Sequence, residues 1–331
     1  MDSYRPSWHA AYHATRGDAA LFELPGSGLV EIRGPERRAY LNSLCTNKVD
    51  DLAPGRGARA FLLAPQKGRV LADFLACETG EVLLLECAGG SAGCVLELLR
   101  KYYFGQEVEF VDHGAGWRAV SLQGPASGSI LERTGGTTPP DGEGDHEVSP
   151  IGAATARVVR WTDTGETGFH LWLAGEDPAA TAVAALVEAG AVPGGPEAWD
   201  TLQIEAGIAA YGPELGEETI PLEAPTENAI SHTKGCYPGQ EVIARLWARG
   251  RPARHLRGLR FEGQRALPPG AGLNAGEKGG VAQVTRSAFS PTLGPIALAY
   301  VKRDHAEAGT RLRGEDAWAE VTELPMMPVH A

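Results

Sequence analysis

The chain has 331 residues, more than one compact core usually holds, so two or three domains are expected. Hydrophobic residues make up 43 % and charged residues 22 %, ordinary globular proportions that exclude wholesale disorder. The formal net charge of −12, from 42 acids against 30 bases, argues against a broad nucleic-acid groove, which needs clustered positive charge.

The first third alternates strands and helices. Residues 29–32 read as a short strand, and residues 35–44 as a helix with Pro35 near its first turn. Three apolar runs follow, at 59–64, 70–77 and 82–87, with lengths and flanking glycines that suit strands. Residues 92–103 carry Val95, Leu96, Leu98 and Leu99 at helical spacing. Composition changes near Asp112. Strands are expected at 117–122, 156–161 and 169–173, an exposed loop at 134–150 and an alanine-rich helix at 179–189. Another helix spans 196–210, entered through Pro196. After about Arg251 the helical signal stops. Short runs at 256–261, 280–285, 296–301, 310–313 and 318–321 suggest a small barrel or sandwich.

No apolar run approaches the roughly 20 residues of a membrane helix. Residues 1–16 hold no apolar h-region, so no secretory leader is expected. The cysteines are Cys45, Cys77, Cys87, Cys94 and Cys236, an odd set with no CxxC pair. That argues against a disulfide scaffold or a zinc knuckle and makes a reducing cytoplasm the expected compartment. His9 and His13 stand at i, i+4 without a third ligand nearby and read as exposed histidines rather than a metal site.

Three places stand out chemically. Lys234-Gly235-Cys236-Tyr237-Pro238-Gly239-Gln240-Glu241 sets a cysteine between two glycines, beside Lys234 and ahead of a helix expected to begin at Pro238. Positive charge and a helix N-terminus both favour thiolate, so Cys236 is expected to be the most reactive of the five, with a pKa below about 8.5. Glu205 falls between two apolar faces of its helix and needs a partner or a ligand there. Asp73 shares a strand face with Leu71 and Leu75, which favours a cavity-lining acid over a solvated one.

The octapeptide Lys234–Glu241 resembles the KGCYxGQE signature of YgfZ-type folate-binding proteins, relatives of the aminomethyltransferase (T-protein) of the glycine cleavage system. Residues 41–47, 67–73, 204–207 with 211–212, and 219–224 resemble further blocks of that family, in the same order. The resemblance implies an α+β, three-lobed aminomethyltransferase-like fold around a tetrahydrofolate site. Residues 1–115 with 200–250 would form the folate-binding body, 116–199 a small α+β domain and 251–331 a C-terminal β-barrel. It also implies that Asp73 matches the catalytic acid of aminomethyltransferases, that Glu205 reads the pterin, and that Arg245 contacts folate. Lys234 or Arg245 would suit the carboxylate tail of the folate.

On that resemblance the chain is expected to bind tetrahydrofolate or a one-carbon derivative and to support iron–sulfur enzymes or their assembly factors, with an effect on tRNA modification and with Cys236 as its reactive thiol. The alternative is a folate-dependent aminomethyltransferase or other one-carbon transferase using Asp73. A third reading is an interaction module in which the octapeptide is only a structural turn. Two departures stand out: Pro238 replaces an aliphatic residue of the signature, and Gln203 stands where an arginine is common.

Overall fold

Three β-layers organise the chain, each built from short apolar strands. The computed structural model describes residues 8–24, 26–276 and 278–328. The first seven residues of the stretch read for a leader lie outside them.

In chain order, helix α1 (Trp8–Gly17) leads to β1 (Ala20–Glu23), β2 (Gly28–Arg33), α2 (Arg37–Asn42), β3 (Arg56–Leu63), β4 (Val70–Glu78), β5 (Leu83–Cys87), α3 (Ala92–Lys101) and β6 (Glu109–Asp112). Then come β7 (Arg118–Gln123), α4 (Ser127–Arg133), β8 (His146–Ile151), β9 (Ala154–Arg160), β10 (Gly168–Leu173), α5 (Glu176–Glu188), β11 (Val192–Pro193) and α6 (Pro196–Ala206). A long irregular segment precedes α7 (Gln240–Arg249). The last third is β12 (Arg254–Phe261), β13 (Gly272–Ala275), β14 (Lys278–Ser290), β15 (Gly294–Lys302), β16 (Arg311–Arg313) and β17 (Trp318–Thr322).

The first sheet is antiparallel, ordered β3-β4-β5-β2-β6; the second is ordered β11-β1-β7-β10-β9-β8. Strands β12-β15-β14-β13-β16-β17 close into a barrel. Alternation along each strand gives each sheet two working faces. One face of the first sheet, with Ile32, Ala72, Phe74 and Leu85, packs against Tyr40, Leu41, Val95 and Leu99 of α2 and α3. The second sheet buries Leu122, Val158, Phe169 and Leu171 against Ile130, Leu131, Ala182 and Leu186 of α4 and α5. The remaining faces meet each other: Leu29, Leu75 and Cys77 pack on Trp117, Ala119, Val159 and Trp172. Polar side chains on those two faces are therefore driven into one shared interior space.

Helix α6 enters through Pro196 and ends at Gly207, whose left-handed φ of 71° forms the cap. It packs on α1 through Ala198 and Leu202 against Ala11 and Tyr12. The segment between α6 and α7 fills the seam between the first sheet and the barrel, where Leu215, Ala224, Ile230 and Tyr237 join Phe61, Val70 and Leu298.

Several expectations change. Residues 134–150 are not all exposed loop: β8 starts at His146, pairs with β9, and buries His146 and Asp145. Ala20–Glu23 pairs with β7, so this part of the 1–115 segment belongs to the second sheet rather than the first. Helix α7 begins at Gln240 rather than Pro238, because Gly239 adopts a left-handed φ of 84°. Helix α1 and strand β13 were not anticipated; β13 buries one large side chain, Leu273, too little for a periodic signal.

Candidate functional site

A cavity of about 700 Å³ opens between the two sheets and α6. That is the size of a small-molecule site. Arg59, Asp73 and Glu86 reach it from the first sheet, His170 from β10 of the second and Asp163 from the turn before β10, and Trp199 and Gln203 from α6. Trp161 and Tyr211 add aromatic surface.

Asp73 lies in the middle of β4 and is 4 % exposed. Arg59 stands opposite Leu75 on β3, diagonal to Asp73. Its Nε donates to Asp73 Oδ1 at 2.9 Å and its Nη2 to Oδ2 at 2.5 Å. Asp73 is buried and Arg59 half-buried, and this two-point contact fixes the plane of the carboxylate. Burial opposes the charge on Arg59, but Asp73 outweighs it and the guanidinium pKa rises.

The facing wall carries a second charged group. His170 Nδ1 lies 2.7 Å from Glu86 Oε2 and its Nε2 lies 2.6 Å from Asp163 Oδ2. Trp172 Nε1 donates to Glu86 Oε2 at 3.0 Å, and the Ser121 hydroxyl donates to Asp163 at 2.9 Å. Burial alone would neutralise the imidazole, but the two carboxylates outweigh it and push its pKa up to about 10. The folded pKa thus lies above the unfolded value of about 6.5, so protonated His170 stabilises the fold. That contribution is whole below pH ~6.5 and is lost as pH rises through about 10. The stability difference between wild type and His170→Gln, read from urea unfolding, should be largest near pH 6 and shrink by pH 10. A difference that stays constant with pH would show an imidazole that is already neutral.

Glu205 does not line this cavity. The resemblance implies that it reads the pterin; instead it is fully buried behind the wall and accepts hydrogen bonds from Tyr12 Oη at 2.9 Å, Arg16 Nη2 at 2.6 Å and Ser290 Oγ at 2.5 Å. The partner that its position demands comes from α1 and the barrel. Gln203, one turn half-step away, does face the cavity. Its Oε1 takes Nη1 of Arg286 at 2.8 Å, so the barrel supplies an arginine next to this position.

The octapeptide is a built turn. Lys234 Nζ donates to the carbonyls of Asn42, Cys45 and Asn47 at 2.5–2.7 Å, so its charge is directed to that segment and not to Cys236. The sulfur it approaches is that of Cys45, at 3.9 Å. Burial lowers the Lys234 pKa and raises that of Cys45. Tyr237 is buried in the seam. A Cβ on Gly239 would stand 2.9 Å from Leu63 Cβ, so this glycine lets the turn lie against β3. Cys236 is left as the one exposed cysteine among the described residues. Burial raises the thiol pKa of Cys77, Cys87 and Cys94. Arg245 is exposed on α7, and neither it, Lys234 nor Cys236 lines the cavity, which gathers its charged groups from the sheets. His9 and His13 are exposed on α1, as expected.

Arg59, Glu86, Asp163 and His170 were not singled out from sequence. Glu86 carries the same signal as Asp73, an acid closing an apolar strand run, and could have been found by it.

The architecture is an aminomethyltransferase-like fold with a closed barrel. The crystal structure of glycine cleavage system aminomethyltransferase T from Bartonella henselae matches it with a TM-score of 0.85 at 23 % identity, over 99 % of this chain and 91 % of that one. The chain belongs to the glycine cleavage T-protein family: the GCVT N-terminal domain model matches residues 2–234, and the glycine cleavage T-protein C-terminal barrel domain model matches residues 254–327. Relatives named aminomethyltransferase include one from Rubrobacter xylanophilus, 34 % identical over 96 % of this chain and 85 % of the relative. Another, from Mycobacterium leprae, is 32 % identical over 96 % of this chain and 88 % of the relative.

Proposed function

We propose that the chain binds a reduced folate, tetrahydrofolate or a one-carbon derivative, in the cavity between the sheets, and that Asp73 serves the movement of a one-carbon unit there. The observation that carries the reading is the buried carboxylate of Asp73, held in the cavity by two hydrogen bonds from Arg59. A bound reduced folate supplies the amine nitrogens that carry the one-carbon unit. Asp73 can stabilise positive charge at such a nitrogen or take its proton, and Arg59 keeps the carboxylate in one orientation. Trp161, Trp199 and Tyr211 offer apolar surface for a flat ring. The names of the relatives support transfer chemistry of the aminomethyltransferase kind. Calorimetry with tetrahydrofolate tests the reading: saturable one-to-one binding is expected, and no binding at millimolar ligand overturns it.

A second reading rests on the octapeptide. Lys234, Tyr237 and Gly239 serve the turn, while Cys236 is presented to solvent. That division of labour favours a YgfZ-type accessory role towards iron–sulfur enzymes, with Cys236 as the working thiol, because transfer at Asp73 needs no thiol there. If cells carrying Cys236→Ser keep full iron–sulfur and tRNA-modifying enzyme activity, this second reading fails while folate binding stands.

A further inference from the structure

We propose that Glu86 is a ligand-reading residue of the cavity: its Oε1 accepts an N–H from the bound molecule, and that N–H belongs to the ring end of a reduced pteridine. The proposal deepens the folate reading and rests on it.

Glu86 lines the cavity and is 6 % exposed. Both of its protein donors, His170 and Trp172, lie on Oε2. Its Oε1 is buried and has no hydrogen-bond partner among the described residues. Such an atom is rare, because leaving a buried carboxylate oxygen unpaired is costly. The carboxylate cannot turn to relieve it without losing the imidazolium. His170 is itself pinned on the other side by Asp163, so the unpaired oxygen is held in place.

Among the described residues of the lining, Glu86 Oε1 is the buried side-chain atom left unpaired. Asp73 takes two bonds from Arg59, and Gln203 takes one from Arg286. A carboxylate only accepts, so the missing partner is a donor. The lining carries the acids Glu23, Asp73, Glu86, Glu143 and Asp163 against Arg59 and His170. This excess of acid admits a ring rich in N–H groups and rejects a carboxylate tail, so the ring end enters and the tail points out.

Calorimetry on the full chain tests this with two probes, tetrahydrofolate and 6-methyltetrahydropterin, which has the ring without the tail. Glu86→Gln should weaken both by the same factor, about ten- to a hundredfold, as loss of a charged acceptor predicts. If wild type binds tetrahydrofolate and a folded Glu86→Gln binds it equally well, the oxygen holds only a water and the proposal is overturned. Loss on tetrahydrofolate alone would place the contact at the tail and overturn it too. If wild type binds neither probe, the folate reading falls and takes this with it. Should Glu86→Gln not fold, Trp172→Phe frees one donor from the carboxylate while keeping a ring in place. With one donor withdrawn the carboxylate is a stronger acceptor, so several-fold tighter binding of both probes is then expected, and unchanged affinity for both overturns the proposal.

Discussion

Replacing Glu205 by alanine should lower the unfolding free energy by about 3–5 kcal/mol, the usual cost of breaking a buried ion pair from one side. Three donors lose their acceptor at once: the Tyr12 hydroxyl, Arg16 Nη2 and the Ser290 hydroxyl. Arg16 keeps Glu166 at 2.7 Å, which limits the loss, but its Nε already lacks a partner. Glu205→Gln retains an acceptor for the hydroxyls and should lose less. Urea unfolding at constant m-value measures both. Because Glu205 sits behind the cavity wall, the folded variant should bind tetrahydrofolate within about threefold of wild type, well under the ~1.4 kcal/mol of a tenfold change. A loss of affinity without a loss of stability would return Glu205 to the ligand.

The second large effect is expected at Asp73. On the folate-transfer reading, Asp73→Asn should reduce one-carbon transfer by about 10²–10⁴-fold, the range for removing a positioned acid–base group. Asparagine fills the same space and still accepts one bond from Arg59, but leaves the guanidinium without its counter-charge. A fold penalty of about 1–3 kcal/mol should accompany the change. Binding and turnover should therefore separate: tetrahydrofolate affinity should stay within about tenfold, while transfer from an aminomethyl donor, followed by ammonia release, collapses. Unchanged transfer would remove Asp73 from the chemistry.

The legible part of the site was the part written in local contrast. Asp73 announced itself because an acid interrupts an apolar strand, and the cavity is where it lies. Glu205 was legible as a buried acid in want of a partner. Its partners were not, because Tyr12 is 193 residues away and no local pattern links them. The direction of Lys234 is hidden from local sequence for a similar reason. Sequence proximity to Cys236 suggested a local charge effect, whereas the side chain caps carbonyls 187–192 residues earlier. Elements with strong periodicity, such as α3, α5 and the barrel strands β12, β15, β16 and β17, lie at their expected places. Helix α1 and β13 escaped because their packing depends on surfaces that other parts of the chain supply.

The fastening of α1 has a consequence for the chain as it is synthesised. Tyr12 and Arg16 emerge early, yet Glu205 follows about two hundred residues later and Ser290 another 85 after that. At about 5–20 residues per second, α1 waits roughly 10–40 s for Glu205. During that interval its apolar stripe, with Ala11 and Tyr12, has no α6 to cover it. Docking of α1 is thus timed by translation of α6 rather than by its own helix formation.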